Sequence, residues 1–326
     1  MSPGRTMILR PFGSTGVLLS RVALGGHEYL PDGRSRGFNE DLRLAVTPGW
    51  IGEGYGGARR RDVLAAAYDA GINFFDATID SEKEALGRNL RELPPPYEIH
   101  VQTRPEGMCY GYDPCNRKMA DGALLGAEVR RGLRLLQRER IDFLNVGILQ
   151  SALDHDAEFL ARMKFNLDRL KREGLVRWAV ADTFSGEPAY LAMIGSGAFD
   201  AINVDLNFAD RGALLRVLPA ARRQGLGVIA REAFLKGELF RIGRDAGVGD
   251  RGALARMAMK WTLGRDVDTL IVGVDHAGEL RDDVAVAAAP AMDAADRALR
   301  ARIEGSASWR EYERRKRVEF LGARAA

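Results

Sequence analysis

One helix-then-strand unit in the middle of the chain decides the fold. It spans residues 158–181 and reads EFLARMKFNLDRLKREGLVRWAVA. Apolar side chains recur at three- and four-residue spacing from Phe159 to Leu170, which predicts an amphipathic helix, and Gly174 follows as its C-cap. The apolar run Trp178–Ala181 then has the pattern of a strand that is buried on both faces.

The same alternation of short apolar runs and helical patterns continues along the chain. It predicts a closed, parallel (β/α)8 barrel formed by one domain over residues 1–326, with two extra helices in Asp293–Phe320. A doubly wound open sheet is the alternative, but no Gly-x-Gly-x-x-Gly motif follows the first strand. The eight strand candidates are Val22–Gly25, Asn73–Asp76, Ile99–Thr103, Ile141–Val146, Trp178–Ala181, Ala201–Val204, Gly227–Ala230 and Thr269–Val272.

Composition narrows the class of protein. Hydrophobic residues make up 46% of the chain, enough for a sizeable core, and a formal net charge of +3 is too small to predict a nucleic-acid partner. The chain has neither a long apolar run nor a signal-peptide core at its start, so we expect a cytoplasmic protein with no membrane partner. Its four His and two Cys, Cys109 and Cys115, form no metal-binding motif and predict free thiols. The sequence does not decide whether the chain forms a homo-oligomer.

Two long segments do not fit the minimal barrel. Residues 31–57 are rich in glycine and contain Tyr55, and residues 104–122 contain Tyr110 and Tyr112. Loops of this length usually serve a function or lack fixed structure. Because both segments follow the carboxyl ends of predicted strands, we expect them to lie over the same mouth of the barrel.

Polar residues stand at the carboxyl ends of several predicted strands, where barrel enzymes carry their active sites. They include two acids, Asp76 and Asp182, and two arginines, Arg104 and Arg231. Because unpaired charges are costly to bury, one interpretation is mutual ion pairing, with Asp76 and Arg104 as a close pair. The other interpretation is a catalytic role for the same groups.

Several short stretches resemble the aldo-keto reductase superfamily, in the right order along the chain. Residues 10–16 (RPFGSTG) and 24–26 (LGG) resemble its N-terminal hairpin and first barrel strand, and residues 70–76 (AGINFFD) resemble its second strand. Residues 84–87 (EALG) are similar to its second helix and residues 271–273 (IVG) to its eighth strand. The resemblance implies a (β/α)8 barrel with an N-terminal hairpin, and an activity that reduces carbonyl groups with NADPH.

The resemblance also shows which catalytic residues have changed. Family members donate a proton from a Tyr that a Lys and an Asp tune, while a His orients the substrate; only the Asp is retained, as Asp76. No Tyr occurs in residues 76–87, where the family has it, and the Lys and His positions fall on Arg104 and Gly147. Arg cannot be that acid, because its pKa lies above about 12, but it can hold a carboxylate or stabilise an oxyanion.

The cofactor positions that the resemblance implies have changed too. The family's Ser–Asn pair for the nicotinamide falls on Asp182 and Thr183, its Gln on Asn203 and its stacking aromatic on Leu206. Asp275 stands where the family has a base for the 2′-phosphate, which favours NAD(H) over NADP(H). The other residues placed at the cofactor are Gly26, Arg231, Phe234, Lys236 and Gly273.

These observations predict an atypical oxidoreductase that acts on a small polar or anionic substrate with a nicotinamide dinucleotide. Asp76 and Arg104 are the predicted catalytic residues, and Tyr55 and His27 are candidates for the missing acid, although a loop tyrosine more often packs at a rim. Two alternatives use the same barrel: a non-redox dehydratase, lyase or isomerase, or a barrel that binds a nucleotide or a partner protein without catalysis.

Overall fold

The computed structural model describes residues 7–26, 47–51, 57–105, 113 and 115–321. None of their helices has the length and apolar character needed to span a bilayer. The strands are β1 (Leu9–Pro11), β2 (Leu18–Ser20), β3 (Val22–Leu24), β4 (Phe74–Ala77), β5 (His100–Thr103), β6 (Ile141–Gly147), β7 (Val176–Asp182), β8 (Ala201–Asp205), β9 (Gly227–Arg231) and β10 (Thr269–Val272). The helices are α1 (Ala58–Ala70), α2 (Asp80–Glu92), α3 (Arg117–Ala120), α4 (Gly122–Leu136), α5 (Gln150–His155), α6 (Phe159–Arg172), α7 (Glu187–Gly195), α8 (Val217–Arg223), α9 (Glu238–Asp245), α10 (Arg251–Leu263), α11 (Ala277–Ala288), α12 (Ala294–Glu304) and α13 (Ala307–Phe320).

Strands β3 to β10 close into a barrel. Each strand pairs in parallel with the next along the chain, and β10 pairs with β3. The eight strands are those that the sequence predicts, with ends that differ by two residues at most. The predicted (β/α)8 barrel is therefore confirmed, and the open-sheet alternative is wrong.

The amino-terminal hairpin closes one end of the barrel. Strands β1 and β2 pair antiparallel, with Arg10 opposite Leu19. The turn between them buries Phe12 completely, with its ring edge-on to that of Phe143 at a centroid distance of 5.3 Å. Gly227 leaves room for this ring, because a Cβ there would lie 2.4 Å from Phe12 Cζ. Since this end is plugged, a site is expected at the opposite end, where the strands have their carboxyl termini.

The barrel interior changes from apolar to polar along the strands. Side chains alternate across a strand, so inward-facing residues are two positions apart. The layer next to the hairpin is an apolar cluster that includes Phe74, Phe143, Val180, Ala201 and Ile229. Two positions further along the same strands stand buried polar residues, namely Asp76, Asn145, Asp182, Asn203 and Arg231.

The carboxyl-terminal helices, α12 and α13, confirm the two extra helices that the sequence predicts. Trp309 of α13 stacks on Phe208, with ring centroids 4.2 Å apart. Phe320 lies against two glycines: a Cβ on Gly186 would be 2.1 Å from its carbonyl oxygen, and one on Gly212 would be 2.2 Å from its ring. Helix α13 therefore packs closely on the loops that follow β7 and β8.

Parts of the two long segments are described. The Gly49 N–H donates a 2.8 Å hydrogen bond to the carboxylate of Asp80, which docks residues 47–51 on the first turn of α2. The second segment contributes α3, and Cys115 beside it has a free thiol. The position of the remaining residues over the mouth stays a prediction, because most of residues 31–57 and the residues Cys109, Tyr110 and Tyr112 lie outside the described ranges.

Candidate active site at the barrel mouth

The polar layer at the carboxyl ends of the strands forms the candidate site. Its members stand at inward positions on β4 to β9 or directly beyond a strand, and all but Asp205 are more than nine-tenths buried. Buried charged and amide groups need partners, since water is excluded from them. We call the following residues the mouth cluster: Asp76, Gln102, Arg104, Asn145, Asp182, Asn203, Asp205 and Arg231.

Arg231 lies at the centre of the mouth cluster. Its two terminal nitrogens donate to the two carboxylate oxygens of Asp182 at 2.6 and 2.9 Å, and its Nε donates to Asp205 at 2.5 Å. Burial raises the pKa of Asp205, but the attraction and hydrogen bond of Arg231, together with the charges of Lys236 and Lys316, lower the pKa overall. Arg231 therefore ties β7, β8 and β9 together across the mouth.

Asp76 and Arg104 do not form the direct ion pair that the sequence predicts. Arg104 instead approaches Asp182, with Nη1 3.7 Å from Oδ2. Asp76 accepts a 2.8 Å hydrogen bond from the amide of Gln102. The register explains the difference, because Asp76 stands opposite Gln102 in the β4–β5 pair and Arg104 lies two residues further along. Burial raises the pKa of Asp76 despite the opposing attraction of Arg104.

Glu82 is a buried carboxyl group beside Asp76 that sequence reasoning missed. It accepts hydrogen bonds from the backbone N–H groups of Thr78 and Ile79, at the start of α2. Burial and the negative charge of Asp76 raise the pKa of Glu82 to about 7. A Glu at the third position of a helix is a capping signal and could have marked it in the sequence. Two neighbouring buried carboxyl groups favour sharing one proton over ionising together.

Replacing Glu82 with Gln should flatten the pH dependence of stability between about pH 5 and pH 8. A carboxyl group whose pKa is raised on folding contributes stability while protonated, and loses it as the pH rises through the folded value of about 7. The contribution is on the order of 2–3 kcal/mol. Urea unfolding at several pH values should show that the free energy of unfolding falls less with rising pH for Glu82→Gln than for the wild type. Equal falls would contradict the buried carboxyl pair.

Two side-chain amides of the mouth cluster have no hydrogen-bond partner among the described residues. The nitrogen and the oxygen of both Asn145 and Asn203 are buried without one, as is Oε1 of Gln102. Each unsatisfied buried polar atom costs roughly 1–3 kcal/mol, so such atoms usually bind water or a polar group of a ligand. The amides mark the floor of the mouth as a place for a polar ligand group.

The structure explains the changed proton-donor positions. A loop of only two residues connects β4 to α2, which leaves no room for the Tyr that the resemblance implies. Gly147 ends β6 opposite Asp182, so no imidazole projects there. The titratable groups in the described part of the mouth are therefore carboxylates and guanidiniums. The candidates His27 and Tyr55 lie outside the described residues, and their role stays a prediction.

The predicted cofactor residues on β7 and β8 fall on both faces of the barrel wall. Asn203 faces the mouth, while Thr183 is buried and its Oγ1 accepts a hydrogen bond from the Ser185 N–H at 2.9 Å. Leu206, which the sequence places against the nicotinamide ring, is fully buried in the core between the barrel and its helices. Successive side chains of a strand point to opposite faces of the sheet. Because Asn203 and Asp205 face inward, Leu206 faces outward.

The segment after β9 forms an open turn. Lys236 and Gly237 both have positive φ angles, 56° and 88°. The Lys236 side chain is about half exposed, and its ammonium group lies 3.1 Å from the carboxylate of Glu232. Phe234 is half-buried and packs on Phe240, with ring centroids 6.0 Å apart. This turn presents a cation and a left-handed backbone to solvent.

The ends of β3 and β10 lie side by side. Gly26 follows β3 with a φ of 65°, and Gly273 is exposed at the end of β10, where an added Cβ would meet no atom within 4 Å. Asp275 is half-buried, and its N–H donates a 2.7 Å hydrogen bond to the carboxylate of Glu279. Two acids therefore stand where the resemblance implies a base.

Comparisons with known proteins agree on the fold. No family model and no curated protein matches the sequence. Two solved structures from Pseudomonas aeruginosa, both assigned to the aldo-keto reductases, share 20% and 22% sequence identity with this chain; each has a TM-score of 0.61 and covers 89% of this chain and 97% of its own. The holo form of an aldo-keto reductase from Bacillus halodurans has 16% identity, a TM-score of 0.65 and coverage of 91% and 96%. This chain therefore has the (β/α)8 barrel fold of the aldo-keto reductases.

Proposed function

We propose that this chain is a member of the aldo-keto reductase superfamily and an oxidoreductase of non-standard mechanism. It would use a nicotinamide dinucleotide and act on a small polar or anionic substrate. The observation that carries the proposal is the mouth cluster, in which buried acids, guanidiniums and unpartnered amides meet at the end of the barrel where such folds carry their sites. The order of the sequence motifs and the fold likeness support it.

The described residues fit a nicotinamide dinucleotide at two points. The unpartnered amide of Asn203 would pair with the carboxamide of the nicotinamide. The open turn at Lys236 and Gly237 would hold a phosphate, since backbone N–H groups in such turns and an ammonium group both attract anions. When bound, the nicotinamide supplies or accepts a hydride.

Asp76 is the group in the described mouth that best replaces the missing acid. Hydride transfer to a carbonyl leaves an oxyanion, which needs a proton from a positioned donor. Because burial raises the pKa of Asp76, its protonated form can donate a hydrogen bond to the substrate oxygen. Glu82 beside it has a pKa of about 7, so the pair can keep one shared proton near neutral pH.

Arg104 selects the charge of the substrate in this proposal. Its guanidinium lies at the mouth and is 7% exposed, with Asp182 at 3.7 Å. A guanidinium has five N–H donors in a planar fork, so it can hold a substrate carboxylate and keep its contact with Asp182. A carboxylate or a developing oxyanion next to the reacting carbonyl is the chemistry that this arrangement favours.

We expect NADH to bind about tenfold more tightly than NADPH. Asp275 and Glu279 would repel the 2′-phosphate, while a carboxylate can accept a hydrogen bond from a ribose hydroxyl. Fluorescence titration or calorimetry with both nucleotides measures the ratio, and about 1.4 kcal/mol corresponds to a factor of ten. Asp275→Asn should reduce the preference, and the surface variant Asp168→Asn should not.

The same titration tests the proposed function. Tighter binding of NADPH would show that Asp275 is misplaced at the cofactor. Binding of neither nucleotide would contradict the redox proposal and favour non-redox chemistry on the same barrel.

A second candidate is a lyase or isomerase, and the Asp76–Glu82 pair is the observation that favours it. One ionised carboxylate of the pair would abstract a proton next to a substrate carboxylate held by Arg104, with no nucleotide needed. Proton exchange in deuterated water distinguishes the two, measured by NMR on 2-oxo and 2-hydroxy acids. Exchange without nucleotide that Asp76→Asn abolishes would support this candidate.

A further inference from the structure

A cavity lies next to the mouth cluster, between α13 and the loops that follow β7 and β8, and Asp205 is one of its lining residues. Its volume is about 320 Å³, which is at the small end of the range for ligand pockets. Aromatic side chains form much of its wall, namely Phe184, Tyr190 and Phe320. The close packing of Phe320 on Gly186 fixes α13 as one side of this cavity.

Most of the charged groups around this cavity are neutralised in pairs. Three carboxylates near the cavity each contact a cation, and one of these cations, Arg231, also binds Asp182. Such pairs leave little net charge to attract a ligand. The pairs are Asp205 with Arg231 at 2.5 Å, Glu232 with Lys236 at 3.1 Å and Glu319 with Lys316 at 3.0 Å.

Asp210 is a carboxyl group at the cavity that belongs to none of these ion pairs. It lines the cavity and is 6% exposed, and its Oδ1 is buried with no hydrogen-bond partner among the described residues. Its backbone is held in place, since its N–H donates a 2.8 Å hydrogen bond to the side chain of Asn207. A buried acid without a partner either stays protonated or takes a cation from outside.

The surroundings of Asp210 make its ionisation costly until a cation arrives. Burial and the nearby negative charge of Asp205 together raise the pKa of Asp210 to about 7, against the smaller opposing effect of Lys316. Glu232 and Glu319 also face it and add to the increase. A positive ligand group would stabilise the ionised carboxylate and donate a charge-assisted hydrogen bond to it.

We propose that this cavity binds a small organic cation, a primary alkylammonium group, with the Asp210 carboxylate as its counter-ion. The aromatic wall would pack on the alkyl chain. A carboxylate ligand would be disfavoured beside Asp210, because the carboxylates of Asp205 and Glu319 also line this cavity. The cavity shares Asp205 with the mouth cluster and Lys236 with the turn after β9, but Asp210 has no role in the reaction proposed at the mouth.

Calorimetry on the full chain tests the proposal, with butylammonium chloride as the probe and 1-butanol and sodium butyrate as matched controls. We expect butylammonium to bind at pH 8, and the two controls to bind at least tenfold more weakly. Asp210→Asn should weaken the binding of butylammonium at least tenfold. Asp168→Asn, which removes an exposed carboxylate on α6, should leave the binding unchanged. Binding should be roughly tenfold weaker at pH 6, because Asp210 is then mostly protonated.

Several results would overturn the proposal. They are no butylammonium binding at pH 8, equal binding of 1-butanol, and butylammonium binding that Asp210→Asn leaves unchanged. Tighter binding of butyrate than of butylammonium would show that the lysines of the cavity hold an anion, and it would overturn the proposal as well. The melting temperature of Asp210→Asn provides the folding control; it should be no lower than that of the wild type, because the variant removes an unpaired buried acid.

Discussion

Replacing Arg231 with Met should lower the free energy of unfolding by about 3–5 kcal/mol, because the variant leaves buried carboxylates without their cation. Asp182 is fully buried and receives two hydrogen bonds from the guanidinium, and Asp205 receives a third. Met has a similar length and keeps the apolar packing of the stem, so the charge is the main change. Urea unfolding at pH 7 measures the loss.

Two comparisons separate this ion network from ordinary surface charge. Arg241 also contacts two carboxylates, Glu238 at 2.6 Å and Asp245 at 3.0 Å, but on the exposed face of α9, where Arg241→Met should change stability little. The loss in the free energy of unfolding of Arg231→Met should become smaller as the pH falls from 7 to below about 4. The pKa of Asp205 is lowered in the folded wild type, so its ion pair adds stability only while Asp205 is ionised. A loss below about 1 kcal/mol at pH 7 would mean that the network does not hold the mouth together.

Most of the fold could be predicted from the sequence, because parallel strands buried on both faces read as continuous apolar runs. The run Trp178–Ala181 became the centre of β7, and the closed barrel follows from eight such runs. The inward or outward direction of single residues is harder to predict, since it depends on the exact register. Leu206 shows this, because one position separates the inward-facing Asp205 from a side chain buried outside the barrel.

The candidate site was predictable in its members and less so in its pairs. Polar residues at strand ends identified Asp76, Arg104, Asp182 and Arg231, which all lie in the mouth cluster. The sequence could not predict that Arg231 forms its ion pair with Asp182, because the pairing depends on how far along its strand each residue lies. Glu82 was missed because it belongs to a helix terminus, where an acid usually has a capping role.

Reduction of ordinary aldehydes with NADPH or NADH should be absent or slower by about 10²–10⁴-fold than in a reductase with the full set of catalytic residues. A positioned acid supplies a factor of that size, equivalent to about 3–5 kcal/mol of transition-state stabilisation, and an uncharged aldehyde lacks the contact with Arg104 that would hold its carbonyl against Asp76. The two-residue loop after β4 holds no tyrosine, Arg104 replaces the lysine, and Gly147 removes the imidazole that orients the substrate. A steady-state assay on a panel of uncharged aromatic aldehydes measures the rate.

Charged substrates make the comparison informative, because a substrate carboxylate would reach Arg104 where an uncharged aldehyde makes no such contact. We therefore expect 2-oxo acids to react faster than aldehydes of the same size, and Arg104→Met to remove that difference. Asp76→Asn should abolish turnover of either class, since an amide has no proton to give at the pH of the assay. Fast aldehyde reduction that survives Asp76→Asn would place the donor elsewhere, and Tyr55→Phe would then be the variant to test. If turnover of a 2-oxo acid is instead lost in Asp76→Asn and unaffected in Tyr55→Phe, the buried carboxyl pair has taken over the role of the missing tyrosine.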